Sequence, residues 1–168
     1  GTPEGAITAY KELRDSYKPD IYFAIEEYYL ASIREMINED KSVVITASPL
    51  DPRFYVPPQN FFTIAIPTSD GLAGYAKWIL ENWEGPGQPK LGVLHWDLAS
   101  GEMAYNMAKS WINSQGIETV PIAYKYSIMD FKPQLMRLRD AGVTHIFLHA
   151  DSQQAALLIR DMKALSLN

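Results

Sequence analysis

The sequence predicts an α/β fold in which parallel sheets carry helices on both faces. Short apolar runs of strand length alternate with longer segments whose apolar residues recur every three or four positions. The alternation is clearest in the later part of the chain, where the predicted strands are Phe61–Ile66, Leu91–His95, Thr119–Tyr124 and Thr144–His149. Ligands of such sheets bind beyond the carboxyl ends of the strands, so a functional site is expected there.

The first fifty residues predict two helices and two strands. A helix opens at Thr2 or Pro3, since proline is tolerated in the first helical turn. The continuous apolar run Ile21–Ile25 predicts a buried strand, and the β-branched run Ser42–Ala47 predicts the next one. Between them, the apolar spacing over Tyr29–Ile37 predicts a second helix.

The segment 51–60 contains three prolines, which forbid a regular helix or a central strand. We interpret it as a crossover between two lobes. Residues 1–50 then form the later part of a first lobe, and residues 61–168 form the first part of a second lobe. This division predicts four strands in the second sheet.

Four helices are predicted behind the later strands. Thr68-Ser69-Asp70 supplies capping side chains for the first of them. The stripe Met103, Met107, Trp111 and Ile112 in the second is interpreted as core. The other three predicted helices are Gly101–Gln115, Asp130–Ala141 and Ser152–Leu165.

Composition excludes several classes of function. The net charge of -5 arises from mixed charges without a basic block, which argues against nucleic acid and anionic membrane surfaces as partners. The absence of Cys removes disulfides, thiolate nucleophiles and cysteine-based zinc sites. No stretch approaches the roughly 18 apolar residues of a membrane span. No secretory signal is visible, and the chain opens at Gly1 as a fragment of a larger protein would.

Motifs for catalysis and cofactor binding are absent from the sequence. Nothing matches G-x-G-x-x-G, a P-loop or a G-x-S-x-G elbow. The three histidines lack metal-ligand spacing, and His95 and His149 are interpreted as satisfied histidines at strand ends. The sequence therefore predicts no catalytic residue, no cofactor and no metal.

Polar and aromatic residues follow several of the predicted strands. If the two sheets face each other across segment 51–60, these loops open into one cleft that suits a small molecule. Helix capping explains Asp151 and Ser152 about equally well. The candidates for ligand binding at these strand ends are Glu27, Tyr28, Thr46, Ala47, Ser48, Trp96, Asp151 and Ser152.

Over nearly its whole length the sequence resembles the type I periplasmic substrate-binding proteins of ABC transporters, specifically the branched-chain amino acid (leucine/isoleucine/valine) binding group. The order and spacing of several segments carry the resemblance. These segments are Ile45–Pro52, Gly92–His95 followed by Ser100-Gly101-Glu102, Asp130-Phe131 with Gln134-Leu135 and Arg137-Leu138, and Ala155–Ile159 followed by Ala164-Leu165.

The resemblance implies two Rossmann-like (flavodoxin-like) lobes, each with a parallel sheet, that close on a ligand like a hinge. It implies a non-catalytic solute-binding component of an ABC importer, with a small-molecule ligand and ABC permease membrane subunits as partners. It also implies a periplasmic or an extracellular, lipid-anchored location. Ser100 stands where the family carries an aromatic ligand contact in a Tyr-Gly turn, and is added to the candidates on that basis.

The sequence departs from the family where amino-acid binders hold the ligand's α-carboxylate. Glu26-Glu27-Tyr28-Tyr29 occupies the first loop, and Leu50 replaces a hydroxyl residue in the second. A carboxylate beside Glu27 would suffer like-charge repulsion. A neutral or cationic ligand, such as an amide or cationic amino-acid-like metabolite, held by Glu27, tyrosines and Trp96, is therefore predicted. Two alternatives stay open: a ligand-sensing domain of a receptor or transcription regulator, and a hydrolase that uses strand-end carboxylates.

Overall fold

Two separate parallel sheets of three strands each carry the fold. The computed structural model describes residues 2–24, 27–50 and 52–167. The chain divides into a first unit, Gly1–Pro67, and a second unit, Thr68–Asn168. The predicted α/β class with parallel sheets is confirmed.

The first unit holds one sheet in the strand order β1-β2-β3. Its helices contribute Tyr10, Leu30 and Ile37 to a core that also contains Tyr22 and Val44 from the sheet. A short 3₁₀ helix, Pro52–Phe54, lies between β2 and β3. The elements of this unit are α1 (Pro3–Tyr17), β1 (Ile21–Ala24), α2 (Glu27–Glu39), β2 (Val43–Thr46) and β3 (Phe61–Thr63).

Helix α1 begins where the sequence predicts. The Thr2 hydroxyl accepts a hydrogen bond from the Gly5 backbone N–H at 3.1 Å and so caps the helix. One turn further in, the ring of Tyr10 lies 5.0 Å from that of Tyr22. The Tyr10 hydroxyl donates to Asp40 at 2.6 Å, which ties α1 to the chain just after α2.

The prediction that β1 is a buried strand is wrong for one of its faces. Ile21 and Phe23 are 59% and 67% exposed, whereas Tyr22 between them is buried. Helices α1 and α2 cover only the face of the sheet that carries Tyr22, Val44 and Phe61. An unbroken apolar run cannot tell whether one or both faces of a strand are covered.

The strand predicted at 61–66 is shorter than expected and belongs to the first sheet. β3 pairs in parallel with β2, placing Phe61 beside Val44. Segment 51–60 therefore connects two strands of one sheet, and the two units divide at Pro67 instead. The prolines predict an interruption but not the sheet that the next strand joins; Phe54 and Phe61 decide that, because both are buried in the first core.

The second unit is a sheet in the order β5-β4-β6 with helices on both faces. Leu91 and Val93 of the central strand face a core with the first two helices, whereas Leu94 faces a core with the last two. The elements are α3 (Thr68–Asn82), β4 (Lys90–Trp96), α4 (Ala99–Ser114), β5 (Glu118–Tyr124), α5 (Lys132–Asp140), β6 (His145–Leu148) and α6 (Ser152–Ala164).

The apolar stripe predicted for the core side of α4 faces outward in part. Met107 and Trp111 are 46% and 41% exposed, while Tyr105, Ala108 and Ile112 are buried. The helix carries two apolar stripes on adjacent faces. Small residues decide between them, because a small side chain such as Ala108 lets the helix approach the sheet closely.

Helices of this chain are too short or too polar to cross a bilayer, as far as residues 2–24, 27–50 and 52–167 are concerned.

Candidate functional site

The carboxyl edge of the first sheet is shaped by hydroxyl groups that bond to the backbone. Thr46, at the end of β2, is fully buried, and its Oγ1 accepts a hydrogen bond from the Ser48 N–H at 3.0 Å. The Thr63 hydroxyl, at the end of β3, donates to the Ser48 carbonyl at 2.7 Å. The Thr46 hydroxyl therefore holds the turn, while Ala47 is exposed and Ser48 half-buried at its surface.

The other residues predicted for the first unit lie close by in the chain. Leu50 is 3% exposed and packs in the first core, so the position presents no polar group. Glu27 and Tyr28 lie at the start of helix α2, shortly after β1. The structure does not describe their side chains, nor residues 25 and 26.

The carboxyl edge of the second sheet carries a cluster of aromatic rings. Trp96 ends β4, and its ring centroid lies 4.5 Å from that of His149, which follows β6. Tyr126, beyond β5, meets Trp96 edge to face at 5.4 Å. Because the three strands run parallel, these side chains converge at the same edge.

Polar groups of α6 join this cluster. Asp151 is the N-cap: its carboxylate accepts from the Gln154 N–H at 3.0 Å and from the Tyr126 hydroxyl at 2.9 Å. The buried Gln154 amide accepts from Trp96 Nε1 at 2.8 Å. Ser152, the next predicted residue, is exposed on the first turn of the helix. The structure thus brings Trp96 and Asp151 into one network, and the capping role considered for Asp151 is confirmed.

The titratable side chains at this edge have shifted pKa values and differ in charge at pH 7. Burial, and secondarily the charge of His95, lowers the pKa of His149 to about 4, so its imidazole is neutral at pH 7. The backbone hydrogen bond from Gln154, together with the Tyr126 hydroxyl, lowers the pKa of Asp151. Burial also raises the pKa of Tyr124, whose hydroxyl donates to the His149 carbonyl at 2.5 Å. A carboxylate is therefore the charged group within the ring cluster.

The two strand-end histidines have different surroundings. His95 Nδ1 donates to the Trp96 carbonyl at 3.0 Å, which confirms the prediction of a satisfied histidine. His149 Nδ1 is buried and has no hydrogen-bond partner in the described part of the chain, so the same prediction is wrong for His149. An orphaned buried nitrogen costs free energy unless something else satisfies it.

The turn from β4 into α4 requires a residue without a side chain. A Cβ at Gly101 would lie 2.5 Å from the Trp96 carbonyl oxygen and 3.3 Å from His95 Nδ1. The glycine of the Ser100-Gly101 pair therefore lets the helix begin directly against the ring cluster. Ser100 lies in the first turn of α4, and its side chain is not among those the structure describes.

Two features bear on catalysis: possible metal ligands and a hydroxyl beside an imidazole. No group of three or more His, Asp or Glu side chains that could hold a metal occurs within the described ranges. A hydroxyl–imidazole contact joins Thr144 to His145 at 3.0 Å, but it lies where β6 begins. There the Thr144 hydroxyl also bonds to the backbone of Lys90 and holds the two strands together.

Sequence reasoning missed Tyr124, Tyr126 and Gln154 as members of this site. Tyr124 was included in a predicted strand, and its position at the strand's carboxyl end was the available signal. Gln154 sits three residues after Asp151, the spacing of a capping box. Tyr126 follows a predicted strand by two residues, which alone distinguishes it little from other loop tyrosines.

Comparison with known proteins places this fold. A structure of a branched chain amino acid ABC transporter from Thermus thermophilus with bound valine superposes with a TM-score of 0.86 at 18% identity, covering 99% of this chain and 43% of that one. A leucine binding protein from Thermotoga maritima gives 0.84 at 15%, covering 100% and 48%. A solute binding protein from Rhodopseudomonas palustris in complex with p-hydroxybenzoic acid gives 0.84 at 15%, covering 99% and 46%.

These identities establish similarity of fold, and the chain spans less than half of each of these proteins. No curated protein sequence matches the chain. The family model for periplasmic binding proteins matches residues 1–168, and the type I fold that the sequence resembles is confirmed. The chain belongs to the periplasmic binding protein family.

Proposed function

We propose that this chain is part of the extracytoplasmic solute-binding component of an ABC importer, and that it holds a small molecule without changing it. The observation that carries the proposal is the ring cluster of Trp96, Tyr126 and His149 at the carboxyl edge of the second sheet, in which Tyr126 donates a hydrogen bond to the ionised Asp151. Aromatic walls with a few fixed polar groups are typical of small-molecule sites. Family membership supports the same role.

The site suits a neutral or cationic ligand better than one that offers a carboxylate to this wall. Asp151 is held in its charged form by hydrogen bonds from Gln154 and Tyr126. A cation near Asp151 gains Coulomb energy and can contact the faces of aromatic rings. In the first unit, Leu50 offers no hydroxyl, and the buried Thr46 hydroxyl accepts a hydrogen bond from the Ser48 backbone N–H. An amide or cationic amino-acid-like metabolite therefore fits these residues.

The absence of chemistry is part of the proposal. A general base needs a pKa near the working pH. The imidazole of His149, with its pKa lowered to about 4 by burial, is a weak base at pH 7. The Asp151 carboxylate already accepts hydrogen bonds from its own helix and from Tyr126. Both groups are better suited to holding a ligand than to moving a proton.

The setting follows from the proposed role. The partners are a small-molecule ligand and the ABC permease membrane subunits that receive it. The location is periplasmic, or extracellular with a lipid anchor. The two units are proposed to be portions of two lobes, each of which contributes ligand contacts. The proposed contacts are Glu27, Tyr28, Thr46, Ala47 and Ser48 in the first unit, and Trp96, Ser100, Asp151 and Ser152 in the second.

A thermal-shift screen on the protein encoded by the complete gene tests this function. A ligand at 100 times its Kd stabilises the folded state by about 2.7 kcal/mol, which is easily measured. The screen contains a series matched in ring and differing in charge: 4-hydroxybenzylamine, 4-hydroxybenzamide and 4-hydroxybenzoate, with L-valine and other metabolites. We expect amines or amides to stabilise. If only carboxylates such as 4-hydroxybenzoate or valine stabilise the protein, the proposed ligand class is wrong. If any bound compound is chemically converted, the proposed binding role is wrong.

A further inference from the structure

A buried glutamine stands at the centre of the ring cluster. Gln154, on the first turn of α6, is 3% exposed. Its Oε1 accepts a hydrogen bond from Trp96 Nε1 at 2.8 Å and lies 3.3 Å from the Asp151 N–H. Its Nε2 donates to the Tyr126 carbonyl at 2.7 Å. One side chain therefore contacts all three strand-end loops of the second sheet.

The partners fix which way the amide points. The two groups at Oε1 named above are N–H donors, and the group at Nε2 is a carbonyl acceptor. Turning the amide by 180° would set donor against donor and acceptor against acceptor, so only one orientation is stable. Because each of these partners matches the donor or acceptor it meets, the bonds hold the buried Gln154 amide and the Trp96 indole in a single arrangement.

We infer that Gln154 is a positioning residue of the proposed solute site: it fixes the Trp96 indole, and through the capping box the Asp151–Tyr126 pair, in one binding arrangement. The inference rests on the proposed function. Its physical basis is preorganisation, since a wall that is ordered before binding loses less entropy when the ligand arrives.

The network also determines what the ligand meets. The indole N–H of Trp96 is committed to Gln154, and the hydroxyl of Tyr124 to the His149 carbonyl. Trp96 thus offers its ring and not its N–H. The Asp151 carboxylate offers an acceptor at this wall, which a ligand that carries a hydrogen-bond donor can use. This agrees with an amine or amide and gives the indole a purely aromatic role.

Replacing Gln154 by glutamate is the most specific test of its hydrogen bonds, because the two side chains have the same shape. In Gln154→Glu an oxygen replaces Nε2 and meets the Tyr126 carbonyl, where two acceptors repel each other. Protonation of the introduced carboxyl would restore a donor at that point. The titratable side chains around it are Asp151, His149, His95, Tyr124 and Tyr126. Gln153→Glu adds the same charge one residue away on an exposed position of the same helix and serves as the matched control.

The first measurement needs no ligand. In the protein encoded by the complete gene, the indole N–H resonance of Trp96 is assigned by its loss in Trp96→Phe. Its exchange with solvent is then followed from pH 5.5 to 8. In wild type and Gln153→Glu we expect a protected N–H. In Gln154→Glu at pH 8 we expect repulsion from the Tyr126 carbonyl to turn the carboxylate away from the indole. Exchange should then be about tenfold faster or more, as for loss of one buried hydrogen bond, with protection recovering towards pH 5.5. Gln154→Leu should lose protection at every pH.

The second measurement is binding of 4-hydroxybenzylamine and 4-hydroxybenzamide by calorimetry at a temperature where all variants are folded. We expect Gln154→Leu to weaken binding of whichever of the two binds wild type by about tenfold, the effect of one lost hydrogen bond, and Gln153→Glu to leave it unchanged. Unaltered indole protection in Gln154→Leu, or unaltered affinity despite lost protection, overturns the positioning role. If neither compound binds wild type while the indole results are as expected, the proposed ligand class fails and the order imposed by Gln154 stands.

Discussion

Gly101 packs directly against Trp96: a Cβ placed on the glycine would lie 2.5 Å from the carbonyl oxygen of Trp96 and 3.1 Å from its backbone nitrogen. No side chain can relieve this contact by rotating, since both atoms belong to the backbone. The start of α4 and the end of β4 therefore lie closer together than a side chain at position 101 would allow. This contact brings the helix against the strand end that carries the ring cluster.

Gly101→Ala is expected to destabilise the protein by about 1–3 kcal/mol, because the added methyl group forces the helix away from the strand. Gly74 in α3 is the matched control, since a Cβ there meets nothing within 4 Å. Gly74→Ala should stabilise by about 0.5–1 kcal/mol through helix propensity. Chemical denaturation measures both. Equal effects of the two substitutions would contradict the close packing of Gly101.

Asp161→Ala is expected to cost about 1–3 kcal/mol, because it leaves a buried N–H without a partner. The Asp161 carboxylate is buried beneath Arg160 and accepts a hydrogen bond from the Phe131 N–H at 2.7 Å, just before α5. Asp140→Ala provides the comparison: its ion pair with Arg139 is exposed and should contribute less than about 1 kcal/mol. A loss for Asp161→Ala no greater than for Asp140→Ala would show that the anchor is dispensable.

Asp151 combines two roles that substitution can separate. Asp151→Ala removes the N-cap of α6 and should cost about 1 kcal/mol of stability. Asp151→Asn keeps a capping oxygen and should change stability by less than about 0.5 kcal/mol, yet it removes the charge proposed to attract the ligand. Ser152→Ala, at an exposed position, should be neutral in stability. Calorimetric affinity for a cationic ligand that remains unchanged in Asp151→Asn would remove Asp151 from the site.

His149 predicts a loss of stability in acid. Its folded-state pKa is lowered to about 4 from the ordinary value of 6.5, so the unfolded chain takes up a proton first as the pH falls. The contribution of the neutral His149 to stability is full above pH 6.5, declines between pH 6.5 and 4 by at most roughly 3 kcal/mol, and changes no further below pH 4. His149→Gln cannot bind the proton and should show a shallower decline in unfolding titrations across this range. Parallel curves for the two proteins would contradict the burial of a neutral imidazole.

The sequence predicts where the helices and strands lie better than it predicts which strands pair. Periodicity locates α5 and α6 to within two residues at each end, because Phe131, Leu135, Leu138 and Leu158 all face a buried sheet. It assigns β3 to the wrong sheet because strand pairing depends on the distant residues against which Phe61 packs. The local sequence pattern does not predict such long-range contacts.

Some residues of the candidate site can likewise be predicted from the sequence, and others cannot. The carboxyl ends of parallel strands can be predicted from the sequence, which is why Trp96 and Asp151 are candidates. Gln154 is not, because its importance lies in hydrogen bonds to Trp96 and to Tyr126, which are 58 and 28 residues away. The buried Thr46, another candidate, accepts a hydrogen bond from the Ser48 N–H, a contact that local sequence does not predict.

The most direct test of the binding role is a calorimetric titration of the protein encoded by the complete gene with the compound that stabilises it most. Wild type is compared with Trp96→Ala and with Trp78→Ala, an exposed tryptophan that stacks on Tyr75 of α3 outside the ring cluster. We expect Trp96→Ala to raise Kd at least about tenfold, the scale of a lost aromatic wall, Trp78→Ala to leave it unchanged, and the compound to be recovered intact. Equal affinity in wild type and Trp96→Ala, or a chemically altered compound, would contradict the account.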